Sequence, residues 1–338
     1  MLLVIFGAGA SYDSVRDLAS YSLRPAQMPP LAAGLFGITD YTRAALSTYR
    51  DALPVVQRMR DLLPEGGDVE VELRKLLDEA DTYPDRHRHM MGVRHYLKAV
   101  ITQAQETVLS ATAGGTNYVT FVDVLRQWQA KSGEDVACVT FNYDTLLETA
   151  LASSFGTEYE TPADYLNNPW QVFKPHGSVG WVQLFNAKSE SYGLPVHLDA
   201  IAHAALIEPT LNFAAAGGSV TWYPQEVWAP ALAIPVAEKS EFACPPAHLE
   251  ALGTLMPEVT RLIIVGWRAR EAHFRDWIGE LVPGHLSTLV VAEKPEAVRD
   301  TARNLPSAVV RNAVGFHNGG FSGLVRSPNL PRFLDRGL

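Results

Sequence analysis

Apolar residues fall into two rhythms along this chain, and the rhythms change at definite places. Leu2-Leu3-Val4-Ile5-Phe6 is an unbroken apolar run closed by Gly7, the pattern of a strand buried on both faces of a parallel sheet. Residues 25 to 37 carry Pro25, Pro29, Pro30, Gly34 and Gly37 and read as a surface loop. From about residue 40 to 130 the period becomes helical. In Asp68 to Leu77, the positions Val69, Leu73, Leu76 and Leu77 share one face, and further helices are expected over 43–62, 90–111 and 118–130.

The strand rhythm then returns. Val136 to Phe141 is apolar and rich in β-formers, and a helix is expected to open at Asp144-Thr145-Leu146-Leu147-Glu148. Gln171 to Lys174, Ala204 to Ile207, Arg261 to Val265, Ser287 to Ala292 and Ala308 to Val310 are further strand candidates, with helices over 271–281 and 295–303. Strands alternating with helices predict an α/β fold with a doubly wound, mainly parallel, Rossmann-like sheet. Residues 1–338 read as one domain in which 40–130 form an inserted helical layer. Residues 183 to 247, rich in Gly, Pro and aromatics, are the least regular part.

Composition narrows the classes. With 47% hydrophobic residues the chain can bury a substantial core, and its formal net charge of −9 argues against broad neutralisation of phosphates, so direct nucleic acid binding is not expected. Its two cysteines, Cys138 and Cys244, build neither a disulfide framework nor a four-cysteine zinc site, and no metal is expected. Met1 to Phe6 is too short and too uncharged for a secretory signal, and no run of about 18 apolar residues exists to span a bilayer. The expectation is a cytoplasmic protein with no membrane partner.

Four segments carry candidate chemistry. Gly7-Ala8-Gly9-Ala10-Ser11 follows the first strand at once, where free backbone N–H groups at a helix start suit a phosphate. The usual dinucleotide fingerprint is broken here, because Tyr12 stands at its third glycine position. Thr140-Phe141-Asn142-Tyr143-Asp144 lies at the carboxyl edge of the sheet, where open α/β proteins bind ligands. Asn142 offers a donor and an acceptor for a water or a ribose hydroxyl, and Asp144 is either a site residue or the helix cap. Phe173-Lys174-Pro175-His176-Gly177-Ser178 brings a histidine, the natural general base near neutral pH, to another strand end. Val265-Gly266-Trp267-Arg268 is a fourth strand exit, at which Gly266 admits close approach of a ligand and Trp267 and Arg268 either flank it or serve as buried and surface residues.

In order and rough spacing these four segments resemble the motifs of the sirtuin-like family. Pro29-Pro30-Leu31, Leu35-Phe36, the acidic helix from Asp68 to Leu77 and Gly320-Phe321-Ser322-Gly323 look like its bacterial antiviral-defence branch. The resemblance implies an NAD hydrolase with NAD as substrate. The pyrophosphate would sit on Gly7, Ala8, Gly9, Ala10 and Ser11, the ribose and water on Asn142, and His176 would be the catalytic base. Asp144, Gly177, Ser178, Gly266, Trp267 and Arg268 would complete the binding site. Two departures qualify this. The four zinc cysteines of deacetylating members are missing, and Trp267-Arg268 replaces the usual small residue or Tyr-Ser. NAD depletion implies restraint, hence a protein activator in trans, an ATPase or an Argonaute-like protein, and a homo-oligomer assembled through the helical layer. The competing readings are a deacylase or ADP-ribosyltransferase using the same cleavage, and a non-catalytic sensor of NAD or ADP-ribose.

Overall fold

The computed structural model describes residues 1–65, 67–83, 85–187, 207–217, 226–235, 242–310 and 313–336. Strand β1 (Leu2–Phe6) lies mid-sheet, and helix α1 (Ala8–Tyr12) follows it after Gly7. A helical stretch comes next: α2 (Asp40–Thr48), α3 (Leu53–Leu62), α4 (Val69–Asp78), α5 (Asp85–Thr112) and α6 (Asn117–Ser132). The single helix expected over 43–62 is two helices. Pro54 sits in the first turn of α3, where its missing N–H is tolerated and from which a helix cannot extend backwards unbroken.

The α/β rhythm resumes with β2 (Val136–Thr140), α7 (Leu146–Phe155), α8 (Asp164–Asn167) and β3 (Gln171–Phe173). Three antiparallel strands follow, β4 (Gly177–Ala187), β5 (Ile207–Ala215) and β6 (Glu226–Leu232), in the order β5-β4-β6. The chain then returns to the main sheet through α9 (Pro246–Leu255), β7 (Arg261–Val265), α10 (Ala272–Leu281), β8 (Ser287–Val291), α11 (Pro295–Asn304) and β9 (Ala313–Phe316). It closes with α12 (Gly320–Leu324) and α13 (Asn329–Arg336). The main sheet has six strands in the order β3-β2-β1-β7-β8-β9, and every pairing is parallel.

Burial explains why β1 has no polar position. Leu2, Val4 and Phe6 join a core with α6, α7, α12 and α13 on one face, while Leu3 and Ile5 join a second core with α9, α10 and α11 on the other. Each such side chain contributes roughly 1.5–3 kcal/mol by leaving water. A third core belongs to the helical layer, where Phe36, Val56, Met59, Leu73, Tyr96 and Leu97 pack with Val179, Leu232 and Ile234 of the antiparallel sheet region.

Register decides where the site forms. Phe6 lies opposite Thr140 on one side and Val265 on the other; Val265 faces Val291, and Val291 faces Phe316. Five strands therefore release their chains at one level.

Two expected features fall elsewhere. Val309 and Val310 are buried but form a turn, their N–H groups donating to the Pro306 carbonyl oxygen, and the last strand begins at Ala313. Gly177 and Ser178, expected as ligand contacts, open β4. Of the strand candidate Ala204 to Ile207, Ile207 starts β5, and 204–206 lie outside the described residues. Gly177 has φ +83°, and a Cβ there would lie 1.9 Å from the Ala231 carbonyl oxygen. Gly177→Ala is expected to cost roughly 2–4 kcal/mol from left-handed strain and overlap, read as a lower urea midpoint with unchanged slope.

Candidate active site

The level strand ends open into one cavity of about 840 Å³, and the exits of all six parallel strands contribute to its lining. After β1 come Gly7, Ala8, Gly9 and Ser11; after β2, Phe141 to Asp144; after β3, His176. After β7 come Gly266, Trp267 and Arg268; after β8, Ala292 to Lys294; after β9, Gly319 to Phe321. The helical layer closes the far side with Leu35, Leu63 and Gly67 to Glu70. Ala10, Gly177 and Ser178 are absent from the lining: Ala10 and Ser178 have no exposure, and Gly177 is packed against β6.

The glycines of the first turn serve the meeting of two strand exits as much as any ligand. A Cβ on Gly7 would come within 2.5 Å of Trp267 Cα, one on Gly9 within 2.9 Å of Gly266 Cα, and one on Gly266 within 2.4 Å of the Ala10 nitrogen. Gly9 N–H donates to the Gly266 carbonyl oxygen and Ala10 N–H to that of Gly7. With Gly7 N–H donating to the Val265 carbonyl oxygen, three N–H groups of the expected phosphate cradle are thus already paired. Ala8, exposed between Gly7 and Gly9 in sequence, faces the cavity.

Asn142 is 5% exposed and held by its amide nitrogen, which donates to Ser11 Oγ at 2.8 Å and to the Tyr118 hydroxyl at 3.2 Å. Ser11 and Tyr118 bond each other at 3.0 Å. The nitrogen is consumed by this triangle, while Asn142 Oδ1 has no hydrogen-bond partner among the described residues. A buried acceptor left this way is costly unless a ligand or water meets it. Burial pushes the Tyr118 phenol well above its ordinary range, so it stays a neutral hydroxyl.

His176, also 5% exposed, packs edge-on to Phe141, with ring centres 4.8 Å apart, and beside Tyr143 at 6.3 Å. Phe141 in turn stacks flat on Trp267 at 5.0 Å. Trp267 is therefore a buried wall of the cavity, its Nε1 donating to Glu271 Oε2 at 2.7 Å, and Arg268 stands exposed on the rim. Asp144 is 5% exposed and lines the cavity; it stands one position before Thr145, the N-cap of α7, and its Oδ1 accepts from Leu146 N–H. Burial raises its carboxyl above the usual range, opposed chiefly by the Lys174 ammonium.

Several site residues left no trace in the sequence pattern. Tyr118 reaches Ser11 from 107 positions away. Asp13, also in the lining, accepts from Ser322 N–H and Ser322 Oγ, and Asn117 Nδ2 donates to the Asp13 carbonyl oxygen and to Ser322 Oγ. The segment Gly320-Phe321-Ser322-Gly323 thereby fastens the end of α1. Arg270 and Asp68, 3.8 Å apart, face each other between the sheet edge and the helical layer.

Among the described residues no group of three metal-ligating side chains is assembled, and no helix is long and apolar enough to cross a membrane. Comparison of the chain with protein-family models and with curated proteins finds no match.

Proposed function

We propose that this cavity binds NAD and hydrolyses its nicotinamide–ribose bond. The observation that carries the reading is the convergence of Asn142, His176 and the Gly7–Ser11 turn in one cavity at the carboxyl edge of a parallel sheet, the position where open α/β folds take ligands. Its volume lies within the roughly 300–1,000 Å³ of ligand pockets. Its walls combine aromatic surface at Phe141 and Trp267 with cationic groups at Arg16, Arg268 and Lys294, a combination suited to a dinucleotide with rings and a pyrophosphate.

The chemistry asks little of the protein. Nicotinamide leaves as a neutral base from a cationic linkage, so no general acid is required. The free acceptor of Asn142 holds a ribose hydroxyl or the attacking water. His176 accepts the proton released as the water oxygen bonds to the ribose carbon, and ADP-ribose, nicotinamide and a proton result. Binding energy from the pyrophosphate end orients the reacting end. Depletion of NAD by such an enzyme fits an anti-phage effector restrained until a partner protein activates it, and the helical layer is the surface proposed for self-assembly.

The test is to incubate the pure chain, alone and with the proteins encoded beside it, with NAD, and to follow nicotinamide and ADP-ribose by chromatography. Equal release of both is expected. Nicotinamide release with ADP-ribose attached to another acceptor would identify a transferase. Saturable ADP-ribose binding with no nicotinamide release under any condition would refute the hydrolase and identify a sensor.

A further inference from the structure

A buried charge pair ties together the two turns that carry Asn142 and His176. Lys174 is the first residue after β3 and stands two before His176; it has no exposure to solvent. Glu148, in the first turn of α7, is 3% exposed. Lys174 Nζ donates to Glu148 Oε1 at 2.6 Å and to the carbonyl oxygen of Asp144 at 2.5 Å. Tyr165 adds a hydroxyl bond to the same Glu148 oxygen at 3.1 Å. Asp144 stands two residues after Asn142. One ammonium group thus spans the exits of β2 and β3, directly behind the cavity wall.

Stability alone does not account for this arrangement. Withdrawing two ions from water costs several kcal/mol each, and an apolar pair of similar volume serves a core as well or better. An apolar pair gives no direction, whereas an ammonium with two fixed acceptors sets the distance between the two backbones that it joins. Glu148 Oε1 and the Asp144 carbonyl oxygen are the two acceptors that fix the lysine's end here.

We infer that Lys174 and Glu148 are a positioning pair that sets the separation of Asn142 and His176 across the cavity. The kinetic consequence rests on the NAD-cleavage reading; the geometric one does not. Lys174→Met alone strands a carboxylate and should unfold readily, so the decisive variant is Lys174→Met with Glu148→Leu. It is expected to regain most of the thermal stability lost in Lys174→Met. Its kcat for nicotinamide release should still fall about a hundredfold, the cost of misplacing reacting groups by about 1 Å, with KM within about threefold of wild type. A folded double variant with wild-type kcat overturns the inference. Should that variant fail to fold, Glu148→Gln, which keeps the shape, decides: about a tenfold lower kcat is expected at unchanged KM, and wild-type kcat overturns the inference. If the wild type releases no nicotinamide even with its partners, the hydrolase reading falls by itself. The pair is then judged by the imidazole NMR resonances of His176, assigned with His176→Asn. They should move in Glu148→Gln, and unmoved resonances overturn the inference.

Discussion

Alanine in place of His176 is expected to stop nicotinamide release, with a fall in kcat of about a hundredfold to ten-thousandfold, the usual worth of a positioned general base. The turn there is held by main-chain hydrogen bonds. Gly177 N–H donates to the Lys174 carbonyl oxygen at 2.9 Å, and the His176 carbonyl oxygen accepts from Ala233 N–H at 2.9 Å. The substitution therefore deletes a ring between Phe141 and Tyr143 without releasing the turn. ADP-ribose affinity, measured by calorimetry, should stay within about threefold, because the proposed reading places the binding energy at the other strand exits. Undiminished turnover in a folded His176→Ala protein would remove His176 from the mechanism.

Asn142→Ala should be the second most damaging change, lowering kcat by about a hundredfold or more, comparable to loss of a preorganised polar group that meets the reacting centre. Unlike the histidine, Asn142 also carries structure. Its two amide hydrogen bonds, to Ser11 and Tyr118, are worth about 1 kcal/mol each, so a lower melting temperature should accompany the kinetic loss. Ser11 and Tyr118 still hold each other at 3.0 Å once the amide is gone, which limits the damage. Tyr118→Phe separates the two effects, since it removes one amide bond and keeps Asn142 Oδ1. A variant Asn142→Ala with wild-type kcat would leave the amide only a structural part.

The strands β1, β2, β7 and β8 were legible because their burial on both faces leaves a run of at least three consecutive apolar residues in the sequence. The place of Asn142 was legible for a related reason, since a polar residue just past such a run stands at the sheet's carboxyl edge, and that of His176 because Gly177 follows it beyond a short strand candidate. Val309-Val310 misled because an apolar pair looks the same whether it enters a strand or, as here, a buried turn pinned to Pro306. The antiparallel sheet β5-β4-β6 had no clean alternation to announce it, and Gly177, read as a ligand contact, is needed where β4 meets β6. Tyr118 and the Asp13–Ser322 bond were out of reach for a different reason. They join residues 107 and 309 positions apart, and no local pattern encodes a partner at that distance.

The interlocked glycines have a consequence for how substrate choice can change. Between Gly7, Gly9 and Gly266 there is no space for even one methyl group, so at these three positions the chamber is lined by main chain that substitution cannot reshape. Retuning toward a bulkier, smaller or differently charged molecule falls instead to side chains around them, most freely at exposed positions such as Arg16, Arg268 and Lys294, which can be exchanged without disturbing the sheet beneath.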